Sequence, residues 1–155
     1  MASPSLSLYL LAARRSSGRP LPDYPARPKD GSLVWVYLDA ESDEEGIAQL
    51  IQRMHEERPE LSFLVTPETG QKRSATFPGA TLFCPIPPDR LPDLARFLDH
   101  FRPSLILLTG PDLPPALIHS AATRKVPLAL ADVQLAADAP VPWRWTAGMA
   151  AALLH

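Results

Sequence analysis

One cysteine, Cys84, is all the thiol chemistry this chain has, so no internal disulfide can form and nothing points to an oxidising compartment. No run approaches the roughly 20 consecutive apolar residues that a membrane-spanning helix needs. Clustered Lys and Arg are missing too, which removes the phosphate-neutralising footprint of a nucleic-acid binder. There is no G-x-S-x-G nucleophile elbow for Ser/His/Asp catalysis. His55, His100, His119 and His155 lie far apart, and none has the i, i+4 histidine partner of a helical metal site. They read as surface residues of helices or of the terminus.

What is present reads as one globular unit. The chain has 155 residues, 46% hydrophobic and 21% charged, with a formal net charge of −2. That is enough to bury a sizeable core. Its 19 prolines fall mostly between apolar runs, as in Pro85-Ile86-Pro87-Pro88, and serve as loop punctuation. Residues 1–32 form a Pro/Ser/Arg-rich leader without a sustained period. Within it Leu6 to Leu11 is apolar and Arg14-Arg15 follow, the reverse of the charge order in a secretory signal. This leaves a frayed or docked terminal segment, or a short amphipathic contact with a membrane surface.

From residue 33 to 155 the pattern is that of a Rossmann-like α/β domain. Leu33-Val34-Trp35-Val36-Tyr37-Leu38 is a continuous apolar run without alternation, which predicts a parallel strand buried on both faces. Ser42-Asp43-Glu44-Glu45 then looks like a capping box opening a helix, whose buried face is Ile47, Leu50, Ile51 and Met54. Further strands are expected at Leu61–Val65, Ala80–Cys84, Leu105–Leu108 and Leu128–Leu130. Helices are expected on Leu94, Phe97, Leu98 and Phe101, around Leu113–Thr123, and over Ala147–Leu154. Strands alternating with helices give an α/β fold, a doubly wound, mainly parallel five-stranded sheet with helices on both faces.

Ligands bind such sheets beyond the carboxyl ends of the strands, so the loops beginning at Asp39, Thr66, Pro85, Thr109 and Ala131 are the places to look. The first has no glycine fingerprint. It carries Asp39, Glu41, Asp43, Glu44 and Glu45, which would repel a nucleotide pyrophosphate. These acids either cap the helix and complement its dipole, or supply a catalytic carboxylate or a cation site. A phosphoryl-receiver domain is excluded on residues, because the third strand ends in Cys84-Pro85 and the fifth in Ala131-Asp132. Cys84 has no evident activating base and reads as a small buried hydrophobe. Trp143 and Trp145, flanking Arg144, cover the core edge or form a partner surface.

Leu33-Val34-Trp35-Val36, the helix after it, Phe97-Leu98-Asp99-His100-Phe101-Arg102-Pro103 and Val126-Pro127-Leu128-Ala129-Leu130 occur in order. From about Gly31 onward the chain resembles the amino-terminal domain of the 3-deoxy-D-manno-octulosonic acid (Kdo) transferases. The resemblance implies one Rossmann-like half of a glycosyltransferase-B fold, facing the lipid A acceptor while a second domain binds CMP-Kdo. The family's catalytic base is a glutamate in an A-S-V-G-E motif, and an ungapped alignment places Asp43 on it, one methylene shorter. Thr69-Gly70 survive from a threonine-rich loop after the second strand. In the family's E-S-E-L-W-P-N motif the first glutamate falls on Gly110 and the second on Asp112. The resemblance thus implies Asp43 as catalytic and Thr69, Gly70 and Asp112 as substrate-binding, with no metal and no cofactor. The family continues into a donor domain past the point where this sequence stops. The expectation is therefore a stand-alone acceptor-side domain of lipopolysaccharide assembly, inactive by itself. The alternatives are a glycosyltransferase half working with a separate donor-domain chain, and a non-enzymatic binding module. Expected partners are that donor-domain chain and a lipid A precursor, without nucleic acid and with at most peripheral membrane contact. The expected location is cytoplasmic, at the edge of the inner membrane.

Overall fold

The computed structural model describes residues 4–20, 22–68, 75–79 and 81–131. The strands are β1 (Ser32–Leu38), β2 (Leu61–Pro67), β3 (Thr81–Phe83), β4 (Leu105–Thr109) and β5 (Leu128–Ala131). They form one sheet in the order β3-β2-β1-β4-β5, and every neighbouring pair is parallel. The helices are α1 (Pro4–Ala13), α2 (Glu44–Glu57), α3 (Leu91–Phe101) and α4 (Pro115–Thr123). The expected strands are all present, β2 two residues longer than its apolar run and β3 shorter. The expected helix at 147–154, the Trp143–Trp145 segment and His155 lie outside the described residues.

β1 is the centre of the sheet because its run is apolar at consecutive positions. Leu33 and Trp35 face one layer, with Leu64, Ile106, Phe97, Phe101 and Leu117. Val34, Val36 and Leu38 face the other, with Ile47, Ile51, Phe63 and Val65. The Trp35 indole N–H donates to Thr66 Oγ1 at 2.9 Å inside the core, so the ring's one polar atom is satisfied and β1 is pinned to β2.

Two local expectations are corrected. The residue that caps α2 is Asp43, not Ser42: its carboxylate accepts from Gly46 N at 3.1 Å. Ser42 is drawn away by a bond to Thr109, and the third helical position holds glycine, so no reciprocal capping box forms. Ile47, Ala48 and Ile51 are the buried residues of α2, while Leu50 is 38% exposed.

The segment before β1 is docked. Leu6 and Ala13 of α1 are buried in the Trp35 layer. Ser16 and Ser17 then meet the first turn of α3, and Tyr24 and Arg27 meet its last. Ser17 N donates to Asp93 at 2.9 Å, Tyr24 packs edge-on to Phe97 and Phe101, and Arg27 Nε donates to Phe101 O at 2.7 Å. A guanidinium on the last carbonyls of a helix complements its dipole.

Candidate functional site

The strand order reverses between β1 and β4, so the loops after these two strands splay apart at the carboxyl edge. Here they are stitched together. The Thr109 hydroxyl has one proton, which goes to the Tyr37 carbonyl at 2.9 Å. It therefore accepts from Asp39 N at 3.2 Å and from the Ser42 hydroxyl at 2.6 Å, which uses both lone pairs. Gly110 completes the closure with φ +76, and a Cβ there would collide with the Asp39 side chain. Asp39 is 6% exposed and accepts from Glu41 N at 2.8 Å. Burial raises its pKa above the ordinary aspartate value. Repulsion from Asp112, Glu68 and Glu41 adds to the rise, and the Glu41 N–H bond opposes it.

An open cleft of about 520 Å³ lies beside this seam, on the α1, α3 and α4 side. Its floor is Tyr37 at the end of β1. Glu68 from the loop after β2, Ile86 to Arg90 before α3, Asp112 and Pro114 before α4, and Ser17 and Arg19 of the leader surround it. Carboxylates and guanidiniums thus share a wall with proline and leucine.

The helix starts at this edge are already provided with carboxylates. Asp43 caps α2. α4 begins on Pro114-Pro115 with no side-chain cap of its own, and Asp89 supplies one from another loop. Asp89 Oδ2 accepts from Ala116 N at 3.1 Å and Oδ1 from Leu117 N at 2.9 Å. The Tyr9 hydroxyl of α1 donates to the same carboxylate at 2.6 Å. α3 carries Asp93 in its first turn, 5% exposed and bound by Ser17 N, the Ser16 hydroxyl and Arg96. Burial alone would raise the Asp93 pKa, but these bonds outweigh it and hold it below the ordinary value. An incoming phosphate would find the amides and dipoles of α2 and α4 occupied by like charge.

Of the residues expected from sequence, Asp112 lines the cleft and Asp43 does not. Asp43 stands exposed at the start of α2, and Thr69 and Gly70 lie outside the described residues, just past Glu68. Arg19, Glu68, Asp89 and Arg90 were not anticipated; only Asp89, between a proline pair and a helix, carried a local signal of capping. Cys84 is buried, and desolvation pushes its thiol up to about 12, in keeping with an inert hydrophobe. His100 and His119 are exposed and His55 is half-buried. No cluster of His, Cys, Asp or Glu able to hold a metal ion occurs among the described residues. Nor is any described helix long and apolar enough to cross a membrane.

An all-parallel five-stranded sheet with an open cleft at its carboxyl edge is a Rossmann-like α/β domain, as in the amino-terminal half of a glycosyltransferase. Residues 14–155 match the family model described as 3-deoxy-D-manno-octulosonic-acid transferase (Kdo transferase), and the chain belongs to that family. Membership implies a role in Kdo transfer in lipopolysaccharide assembly. No curated protein and no solved structure matches the chain.

Proposed function

We propose that this domain is the acceptor side of a Kdo-transfer reaction, one half of a glycosyltransferase-B arrangement, and that it transfers no sugar by itself. The observation that carries this is the carboxylate at each helix start along the crevice: Asp43 on α2, Asp93 on α3 and Asp89 on α4. A nucleotide-linked donor needs free amides and positive potential, whereas these carboxylates put negative charge at all three helix starts and cap two of them, α2 and α4. The cleft, with its mixture of polar and apolar walls, suits an amphiphilic acceptor such as a lipid A precursor. Gly110 supports the same reading. The family's glutamate aligns with it, yet the backbone conformation and the touching Asp39 leave no room for a side chain.

In this proposal Asp43 takes a proton from the acceptor hydroxyl, and Thr69, Gly70 and Asp112 help to seat the acceptor. Asp43 is exposed and next to the seam, so a substrate lying across the β1 end can reach it. The donor site belongs to a separate unit, and the reaction runs at the cytoplasmic face of the membrane. Incubated alone with CMP-Kdo and a lipid A precursor, the purified chain should release no CMP. Measurable release would overturn the reading of an inactive half. Adding a donor-binding Kdo transferase domain should restore transfer, and Asp43→Asn should then lower the rate by about a hundredfold or more. An Asp43→Asn protein as active as the original would remove Asp43 from the mechanism.

A further inference from the structure

Two neighbouring residues compete to start α2. Ser42 and Asp43 are both favoured cap residues, and Ser42-Asp43-Glu44-Glu45 has the spacing of a reciprocal capping box. The structure uses Asp43. Ile47 N donates to Asp43 O at 2.9 Å as the first helical bond, and Gly46 N donates to Asp43 Oδ1 at 3.1 Å. Glycine at 46 makes room for this cap, since a Cβ there would stand 2.5 Å from Asp43 Oδ2. Starting the helix on Ser42 would draw Asp43 into the first turn. Its ψ, 90° in the extended cap, would swing to the helical value of about −42° and carry the carboxylate off Gly46 N.

What decides between the two caps lies on another strand. Thr109, at the end of β4, is fully buried, and the Ser42 hydroxyl is bonded to it at 2.6 Å. Ser42 thus spends its hydroxyl on β4 and leaves the capping to Asp43. The rest of the loop is held as closely. Asp39 N donates to Thr109 Oγ1 at 3.2 Å, Ala40 N to Glu68 at 3.3 Å, Glu41 N to Asp39 Oδ1 at 2.8 Å and Ser42 N to Asp39 O at 3.1 Å. Each backbone N–H from 39 to 42 therefore has an acceptor, and Thr109 and Glu68 supply two of them from the ends of the neighbouring strands.

We infer that Thr109 is a positioning residue for Asp43: by holding Ser42 it fixes which residue caps α2, and so the direction in which the Asp43 carboxylate points. This deepens the acceptor-side reading and rests on it, since there Asp43 takes the proton of the acceptor hydroxyl. Thr109 acts through Ser42 and touches no substrate. An aspartate has a single methylene, so its reach is set by its backbone, and a shift of about 1 Å in a reacting group can cost a hundredfold in rate. A helix start that slips by one residue lowers turnover and leaves acceptor affinity alone, because Asp112 and the cleft wall stay in place.

The test is steady-state transfer by the full chain supplied with a donor-binding Kdo transferase domain, CMP-Kdo and a lipid A precursor. Thr109→Val keeps the shape of the side chain and removes the hydroxyl. It should lower kcat by about fivefold or more, with KM for the acceptor within about twofold of the original. Thr109→Ser should restore kcat. Adding Ser42→Ala to Thr109→Val should restore it as well, because the competing cap is then gone; a merely structural Thr109 would leave that double variant no faster. In the chain alone, hydrogen exchange at the Glu45 amide should slow by about fivefold in Thr109→Val, as Ser42 takes that N–H, and return to its original rate in the double variant. Thr109→Ala should give the same values, and decides the matter where the valine variant does not fold. Unchanged kcat in Thr109→Val, a rise in KM alone, or a double variant as slow as the single one would each overturn the assignment. If the original pair transfers no sugar, the acceptor-side reading is what fails. The Glu45 amide then decides by itself: unchanged exchange in Thr109→Val would show that Thr109 does not set the cap.

Discussion

The two faces of the sheet are covered in different ways. One is packed with rings: Trp35 lies 4.4 Å from Phe97 between centroids, Phe97 4.7 Å from Phe101, and Tyr24 of the leader closes over both phenylalanines. Three helices and the leader lie on it, tied by Asp89, Asp93 and Arg27. The opposite face is aliphatic, built from Val34, Val36, Leu38, Val65, Ile47 and Ile51 around Phe63. Among the described residues a single helix, α2, covers it. The cleft opens on the aromatic, heavily tied side, while Asp43 stands at the start of the lone helix on the other. The cleft wall formed by Asp89 and the leader is thus held by long-range bonds, and the candidate base caps the first turn of its own helix.

The comparison breaks if stability is not concentrated on the ringed face. Phe97→Ala should cost about 3–5 kcal/mol, because a fully buried ring leaves a cavity among other rings that cannot collapse. Ile51→Val on the opposite face should cost about 1 kcal/mol. Chemical denaturation of the two variants gives both numbers, and similar losses would mean that the faces are equivalent.

Next in size is the cap that joins three elements. Asp89→Ala leaves Ala116 N, Leu117 N and the Tyr9 hydroxyl without their shared acceptor, at a cost of about 2 kcal/mol. Hydrogen exchange should locate the loss at the start of α4 and in α1. Loss confined to α4 would show that the Tyr9 bond does not hold α1.

The two buried aspartates sharpen the comparison through opposite responses to pH. Asp93 has a lowered pKa in the folded chain, so its contribution is complete above the unfolded value of about 3.9 and is lost as pH falls through the folded value. Asp93→Asn should therefore be most destabilising near neutral pH and approach the original protein in acid. Asp39 is raised, so folding favours its protonated form, and its charge costs stability as pH climbs from about 3.9 through the folded value. Asp39→Asn should gain on the original protein over that climb. Urea midpoints across the acid range would separate them, and parallel curves would mean that the two carboxylates share one environment.

The smallest effect belongs to the edge of the aliphatic face. Leu50→Gln should change stability by less than about 0.5 kcal/mol, because Leu50 is 38% exposed despite its helical phase. A loss near 2 kcal/mol would show that α2 buries a wider face than Ile47, Ala48 and Ile51.

Much of this architecture was legible in the chain. Consecutive apolar residues in Leu33–Leu38 mark a strand buried on both faces, since alternation would be needed if one side met water. The phase of Leu94, Phe97, Leu98 and Phe101 marks α3 and its inner side, and four buried positions agree. Parallel pairing follows from the helices between strands. The acids after β1 already argued against a nucleotide at that loop. Local sequence settles these points because neighbours in the chain make the contacts concerned.

The remainder depended on residues that meet only after folding. Ser42 and Thr109 stand 67 positions apart and bond at 2.6 Å, which moved the α2 cap to Asp43. Ser17 reaches Asp93 across 76 positions, and that contact turns a featureless leader into a wall of the cleft. Asp89 caps a helix 27 residues away, and Gly110 is required both by its positive φ and by the Asp39 side chain against it. No period or motif encodes such pairs, because each rests on two backbones brought together by the sheet. The sequence by itself thus determined the layers and the family likeness. Only the tertiary structure decided where the cleft opens, which carboxylates surround it, and which residue caps α2.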